Sequence, residues 1–510
     1  MKPKSFAVVG TGMSALGSIL ALLEAGLKPT VIEAGSLRDS ILPSKFRHLK
    51  HLQPGEWSRN DLSSLINTLH ASTRGIPRKL SFGSSKAYGA EAQLYSGERL
   101  PAYSHFFGGF SHVWGGSALV TPSDELRDWP IQTDEIAPYF RKTLSVLPYA
   151  ANSSSLDSHF GKPPINNGLN ISAKDQLYLR KLEKNLHGDV FVGQSRLLVH
   201  SHGANGCKYC GFCMTGCAYS SIFRSSEMIT QLVSTGKITL LENHVLHRIS
   251  EKRGVVILEL EDKVGGGVIS REFDKVYLGT GAVESSRIVL NSVKSFNSVT
   301  IHGRGSCIVP LISFSSQSPQ WPSVNTLPAI FIEFLDRKLG AWTHIQMTNQ
   351  NELVYKALGF LRQIPVAKWR SYIAANVSTL MINDNSQYGI MYTLEKSSYE
   401  LKNVLVNSST KGSKIRFLLN AFKCSFKIAY ALKITPLIMF TKMNRQTYHL
   451  GGSFPMSIHP TKVNETDKLG RLSEFENLHI VDSSTYPSIP STTLAILLTA
   501  NAWRITEGSL

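Results

Sequence analysis

The residues that most constrain this chain fall within its first thirty-five. Ser5-Phe6-Ala7-Val8-Val9 is a short apolar run of the buried parallel-strand type. It opens directly into Gly10-Thr11-Gly12-Met13-Ser14-Ala15, a G-x-G-x-x-A turn. A helix follows, because Leu16, Ile19, Leu20 and Leu23 recur at i, i+3, i+4 and i+7, and Gly26 is placed to stop it. Thr30-Val31-Ile32-Glu33 then reads as a second strand ending in an acid. Each part has a physical task. Gly10 permits the tight turn, and Gly12 lets the backbone approach a pyrophosphate. Met13 and Ser14 open a helix whose N-terminus faces the phosphates, and Ala15 keeps that helix close to the strand. Glu33 can accept hydrogen bonds from an adenosine ribose. Its carboxylate would repel the 2′-phosphate of NADP, but it does not separate NAD from FAD. A glycine turn alone is common in ordinary loops; strand, turn, helix, strand and acid in this order predict a dinucleotide-binding unit.

At 510 residues the chain is long enough for about three folding units, or for one or two larger ones. Hydrophobic residues make up 42%, which excludes a disordered, collagenous or small disulfide-stapled protein. Lys plus Arg is 54 against 37 Asp plus Glu, a net +17. That excess favours an anionic partner (nucleic acid, phosphorylated substrate or membrane surface) without choosing among them. Charged residues are only 18%, below the roughly 25% of soluble domains, which leans towards a membrane surface. No apolar run approaches the roughly 18 residues of a bilayer span. Lys2 and Lys4 ahead of an apolar stretch imitate a signal peptide, but Gly10, Thr11, Gly12, Ser14 and Gly17 interrupt it. A cytoplasmic protein is expected, peripheral at the inner face of the membrane if it meets one.

Further along, Ile41 to Leu100 is rich in Ser, Gly and Lys and reads as long loops. Gly108-Gly109-Phe110-Ser111-His112-Val113-Trp114-Gly115-Gly116 is a glycine-dense loop whose backbone can press against a flat ligand. Trp129-Pro130-Ile131 leads into a helix containing Tyr139-Phe140, and Ala150 to Asn170 reads as a linker. Phe273 to Leu278 is a strand that enters Gly279-Thr280-Gly281 and a helix from Ala282 to Leu290, a second phosphate-facing arrangement. Between Ile301 and Asn444 aromatic and basic residues dominate, as for a second domain. Leu478-His479-Ile480-Val481-Asp482 is a strand ending in an acid, and Thr492 to Ile505 is helical.

These blocks, in this order, resemble the glucose–methanol–choline (GMC) flavoprotein oxidoreductase family. The blocks are Gly10 to Ala15 with Glu33; Gly108 to Gly116 followed by Trp129-Pro130-Ile131; Gly279 to Arg287; and His449-Leu450-Gly451-Gly452 with Val481-Asp482-Ser483-Ser484. The resemblance implies an α/β fold: a Rossmann-like FAD-binding domain of the GMC and p-hydroxybenzoate hydroxylase kind, plus a smaller α+β substrate domain. The FAD-binding domain would be discontinuous, comprising 1–150, 200–309 and 446–510, with a cysteine-rich loop at 206–218. Residues 151–199 would be a linker and 310–445 the substrate domain. Gly109, Ser111, Val113 and Trp114 are carried over as flavin contacts. Val245 would lie near the adenine, Thr280 and Gly281 at the second turn, and Asp482 and Ser483 near the ribityl side. Some relatives attach FAD through a histidine at the position of Val113. His112 is one residue away, so the FAD is expected to be non-covalent.

An alcohol gives up its carbon-bound hydrogen as hydride only if its hydroxyl proton also leaves, and histidine suits that task near neutral pH. The resemblance puts the base at His449 and a second polar residue at Thr493, where relatives carry His or Asn. Threonine can share a hydrogen bond but cannot take a proton. Either His449 works alone, or the substrate brings its own polar partner; Thr493 can equally just pack beside the flavin. The expected activity is oxidation of a hydroxyl on a sugar or an amphiphilic, including lipid-linked, alcohol. Rivals are a flavin and iron–sulfur reductase of a double bond or ketone, and a non-catalytic flavin-binding partner recruited to a membrane.

Cys207-x2-Cys210-x2-Cys213-x3-Cys217 has the spacing of a ferredoxin half-motif, with Ala218 where ferredoxins place proline. It fits a [4Fe–4S] or [3Fe–4S] centre first, tetrahedral zinc next, and a metal-free loop as a third option. A cluster would carry single electrons from reduced FAD to an outside acceptor, making a dehydrogenase and not an oxidase. Lys414 to Lys433 and Tyr355 to Tyr372 can be drawn as basic amphipathic helices, either solvated domain helices or elements lying on an anionic membrane. Dispersed basic residues and the lack of a recognisable module argue against nucleic acid.

Overall fold

The computed structural model describes residues 4–70, 79–88, 101, 103–314, 325–349, 376–384, 388–396, 404–444 and 447–510. The apolar run Phe6–Val9 (β1) is the middle strand of a five-stranded sheet. The spatial order is Leu478–Ile480, Lys275–Leu278, β1, Thr30–Ile32 (β2) and Thr239–Leu241, with every neighbour parallel. Alternation along β1 accounts for its composition. Val8 joins the apolar cluster under the helices Met13–Glu24 (α1) and Ala495–Gly508. Ala7 and Val9 join the cluster on the other face, with Ala282–Ser292 and a three-stranded antiparallel sheet. A strand covered on both faces must be apolar throughout.

The helix Ala495–Gly508 is buried along most of its length and packs against α1. The two backbones are so close at Gly17 that a Cβ there would stand 2.2 Å from the Thr499 carbonyl oxygen. The Thr499 hydroxyl donates to the Met13 carbonyl (3.1 Å) and the Thr506 hydroxyl to Ser18 Oγ (2.8 Å). The end of the chain thus fixes the helix that follows the first glycine turn.

The second lobe is built on an antiparallel sheet of seven strands. They run Thr435–Pro436, Ser306–Ile312, Val377–Asp384, Ala341–Asn349, Ile330–Asp336 and Val190–Gln194, with Lys442–Met443 also paired to Ser306–Ile312. The helices Ala173–Asn185 and Lys414–Leu432 cover it through Tyr178, Leu182, Phe417, Ala421 and Ile428. A four-stranded sheet ends in Ser298–Arg304 and Leu450–Gly451, with Leu450 opposite Gly303, which brings the segment around residue 449 to the lobe boundary.

Two expectations need correction. Residues 151–199 are not a linker, because they carry the helix Ala173–Asn185 and the strand Val190–Gln194 of the seven-stranded sheet. Their signals are short, and pairing with a strand far along the chain decides the outcome. Between Ile41 and Leu100 the chain is not all loop, since Arg59–His70 is helical. The Tyr355–Tyr372 stretch lies outside the described residues.

Candidate active site

A cleft opens at the carboxyl ends of the parallel strands, and two glycine turns form its head. Gly10 has φ +102°, and a Cβ on it would lie 2.6 Å from the Gly279 carbonyl oxygen, so the turns after β1 and after Lys275–Leu278 press backbone to backbone. Gly279 is equally constrained, since a Cβ there would meet the Ala15 amide nitrogen at 2.9 Å. Gly12 differs. It starts α1 at an ordinary φ of −73°, no side chain caps the helix, and the position of its absent Cβ has nothing within 4 Å. The first-turn amides of α1 therefore open onto the cleft without internal partners, a ready anion site.

Of the sequence-predicted residues, Gly10, Gly12, Met13, Ser14, Glu33, Gly109, Ser111, Val245, Thr280, Gly281, Asp482 and Ser483 line this cleft. Ala15, Val113, Trp114, His449 and Thr493 are not among its lining residues. The loop turn Gly109–His112 explains the division within one segment. It leaves Gly109 and Ser111 on the cleft, packs Val113 with Ala87 and Phe106, and sends Trp114 Nε1 to the Phe223 carbonyl (2.8 Å). The His112 ring bonds Ser226 Oγ (2.7 Å), and burial holds its pKa well below the usual value.

Carboxylates stitch the cleft together. Glu33 is buried and accepts from the Thr11 hydroxyl and the Gly35 amide (2.7 Å). Thr11 Oγ1 in turn accepts from the Gly108 amide (2.8 Å), tying the first turn to the glycine-rich loop. Asp482 accepts from the Gly281 amide (2.8 Å), Ser285 Oγ (2.5 Å) and the Ser484 amide (2.9 Å). Burial raises the pKa of both acids, and these donors oppose the rise.

Sequence reasoning missed an ionic cluster on one wall. His105 Nε2 lies 2.9 Å from Glu284 Oε2, and Arg287 Nη2 donates to the same oxygen at 2.9 Å. Burial opposes charge on both sides of the pair. The Arg287 and His105 charges nevertheless carry Glu284 far below the carboxylate range, and Glu284 holds His105 above the ordinary imidazole value. Tyr448 also lines the cleft. Nothing local in the sequence marks His105 or Tyr448, and the block that holds Glu284 and Arg287 gives no sign of their partner.

His449 sits between two lining residues, Tyr448 and Leu450, and its carbonyl accepts from the Arg304 amide (3.3 Å). Burial, then the Arg304 and His344 charges, push its pKa down to about 3, so the ring is a neutral acceptor throughout the physiological range. The Thr493 hydroxyl is occupied: it accepts from the Leu119 amide (2.6 Å).

Away from the cleft, Cys207, Cys210, Cys213 and Cys217 all line one small cavity with Val199, Phe212, Tyr219, Ile222 and Leu327. The Ser221 amide donates to Cys217 Sγ (3.2 Å) and the Thr326 amide to Cys213 Sγ (3.4 Å). Burial raises the Cys207 thiol to about 12. Among the described residues, no three His, Cys, Asp or Glu side chains are arranged to hold a single metal ion. Lys79 is buried beside Cys213 and Cys217, and its ammonium donates to the Trp114 carbonyl. Burial lowers its pKa to about 8, and it has no carboxylate partner among the described residues.

A parallel-sheet lobe with paired glycine turns, joined to an antiparallel lobe, defines an α/β protein. The fold is similar to that of pyridoxine 4-oxidase from Mesorbium loti over 99% of both chains, with a TM-score of 0.61 and 14% sequence identity. Residues 431–502 match the family described as GMC oxidoreductase. That match, confined to one segment of the chain, is to a family of oxidoreductases. No curated protein matches it.

Proposed function

We propose that the chain is an FAD-dependent dehydrogenase acting on the CH–OH group of a sugar or amphiphilic alcohol. The observation that carries this reading is the open space in front of Gly12, at the head of a cleft framed by two backbone-packed glycine turns. The residues fit the cofactor: uncapped α1 amides suit its pyrophosphate, buried Glu33 a ribose, and the Gly108–Ser111 backbone a flat ring. When bound, FAD supplies the hydride acceptor.

The chain's own residues deal with the proton. Among the described residues neither ring nitrogen of His449 is engaged, so one can accept the substrate hydroxyl as a hydrogen bond and then take its proton. With a pKa near 3, the imidazole does not deprotonate an alcohol in advance; the proton moves as the carbon–hydrogen bond breaks. Thr493, bonded to Leu119, acts by holding that segment in place and carries no proton.

Cys207, Cys210, Cys213 and Cys217, each ligand losing its proton, would hold an iron–sulfur centre, all four for [4Fe–4S] or three of them for [3Fe–4S], and such a centre would supply single-electron transfer. Their shared cavity and Lys79, buried beside Cys213 and Cys217 with no carboxylate partner among the described residues, support an anionic occupant. Zinc in the same thiolates is the rival. An anaerobic visible spectrum with iron, sulfide and zinc analysis separates the two. In His449→Ala, bound flavin should persist while alcohol-driven bleaching slows by about 10²- to 10⁴-fold. Bleaching at the wild-type rate would remove His449 from this role.

A further inference from the structure

The outer face of the helix Lys414–Leu432 carries a surface that the oxidoreductase reading does not use. Ile415, Leu419, Phe426 and Tyr430 are 71%, 63%, 55% and 87% exposed. At 100° per residue they fall within about 60° of one another, so they form one stripe along the helix. The opposite face, through Phe417, Ala421, Cys424 and Ile428, is buried against the seven-stranded sheet, so the helix is already docked and its stripe is not a core face left over. Exposed Lys414, Arg416, Lys423, Lys427 and Lys433 lie among and beside the apolar side chains. The turn Ile438–Phe440 adds Met439, almost wholly exposed. Residues 401–464 contain no Asp or Glu.

We infer that this face binds the surface of an anionic lipid bilayer, with the stripe seated at the level of the head groups and the basic side chains among the phosphates. Apolar side chains on an exposed helix face, interleaved along the helix with basic and no acidic residues, match the interfacial mode of binding. A soluble protein partner would have to match an apolar ridge with an unbroken acidic rim, whereas an anionic bilayer offers both features at once. Among the described residues no helix is long and apolar enough to cross a membrane, so the helix lies along the surface. The same stretch of chain runs on within ten residues of its last exposed apolar side chain to Tyr448 at the cleft. A bound enzyme would therefore hold its cleft near the lipid surface and near amphiphilic alcohols dissolved there. Lipid binding itself does not depend on the flavin reading.

The test is flotation of the full chain with phosphatidylglycerol–phosphatidylcholine vesicles and with pure phosphatidylcholine vesicles. The wild type should float with the anionic vesicles, and raised salt should release it. Lys423→Glu/Lys427→Glu should weaken partitioning by at least about 25-fold, at roughly fivefold per basic residue lost. Phe426→Ser/Tyr430→Ser should weaken it at every salt concentration. These positions are exposed, and an unchanged thermal midpoint and flavin spectrum would show that the fold is kept. Equal binding by both double variants overturns the inference. So does failure of the wild type to float, or light scattering that shows the stripe buried in a dimer abolished by Phe426→Ser/Tyr430→Ser.

Discussion

Gly12→Ala separates the cofactor reading from a purely structural role for the glycine turn. In this chain Gly12 needs no special backbone freedom, because its φ is −73°, and an added Cβ meets nothing within 4 Å. The fold should barely notice the methyl group. Alanine is a poorer N-cap than glycine by a few tenths to about 1 kcal/mol, and stiffening the unfolded chain returns about 0.4–1 kcal/mol. The net change is within about 1 kcal/mol, a shift in midpoint of at most about 4 °C. Binding is another matter, because the methyl group occupies the space the pyrophosphate needs. Losing two charge-assisted hydrogen bonds, at about 1.5–3 kcal/mol each, weakens FAD by about 10²- to 10⁴-fold. The assay pairs thermal unfolding of the flavin-free protein with FAD titration followed by fluorescence quenching. Gly10→Ala is the contrast, since its Cβ collides with the Gly279 carbonyl and both stability and affinity should fall. A Gly12→Ala protein that binds FAD as tightly as the wild type would refute the reasoning.

Two further outcomes follow from single contacts. Thr493→Val strands the buried Leu119 amide and should cost about 1–3 kcal/mol in denaturant unfolding, with the pH profile of substrate oxidation unmoved; a shifted profile with unchanged stability would instead give Thr493 a part in the chemistry. His105 is held above its ordinary 6.5 because Glu284 outweighs the burial that works against its charge. Its contribution is therefore fully present below pH 6.5 and fades as pH rises through the raised value, so the stability difference between wild type and His105→Gln should shrink over that range. A difference constant with pH would show that the charge plays no part.

What was legible in the sequence was local. The run from Phe6 to Glu33 folds as read because strand, turn and helix are each specified by adjacent residues. The same holds for the Gly279–Gly281 turn and the helix after it. Val190–Gln194 was opaque because a strand that short is decided by its distant partner, Ile330–Asp336. The glycine-rich loop could be recognised, but which of its side chains face inwards could not. One turn separates Ser111 on the cleft from Val113 in an apolar pocket. His105 was hidden for a related reason: one of 16 histidines, it acquires meaning only when Glu284, from a distant segment, arrives beside it.

The interlock between Gly17 and Thr499 has a consequence for how the molecule is made. The helix seated on the first glycine turn is translated long before the helix that holds it and the edge strand Leu478–Ile480. Until those elements arrive, the apolar side of α1 and one edge of the parallel sheet lack their covers. Such surfaces attract chaperones and, at high concentration, other nascent copies. A nascent chain halted before Leu478 would have made both glycine turns of the cleft but neither the strand beside Lys275–Leu278 nor the helix packed on α1.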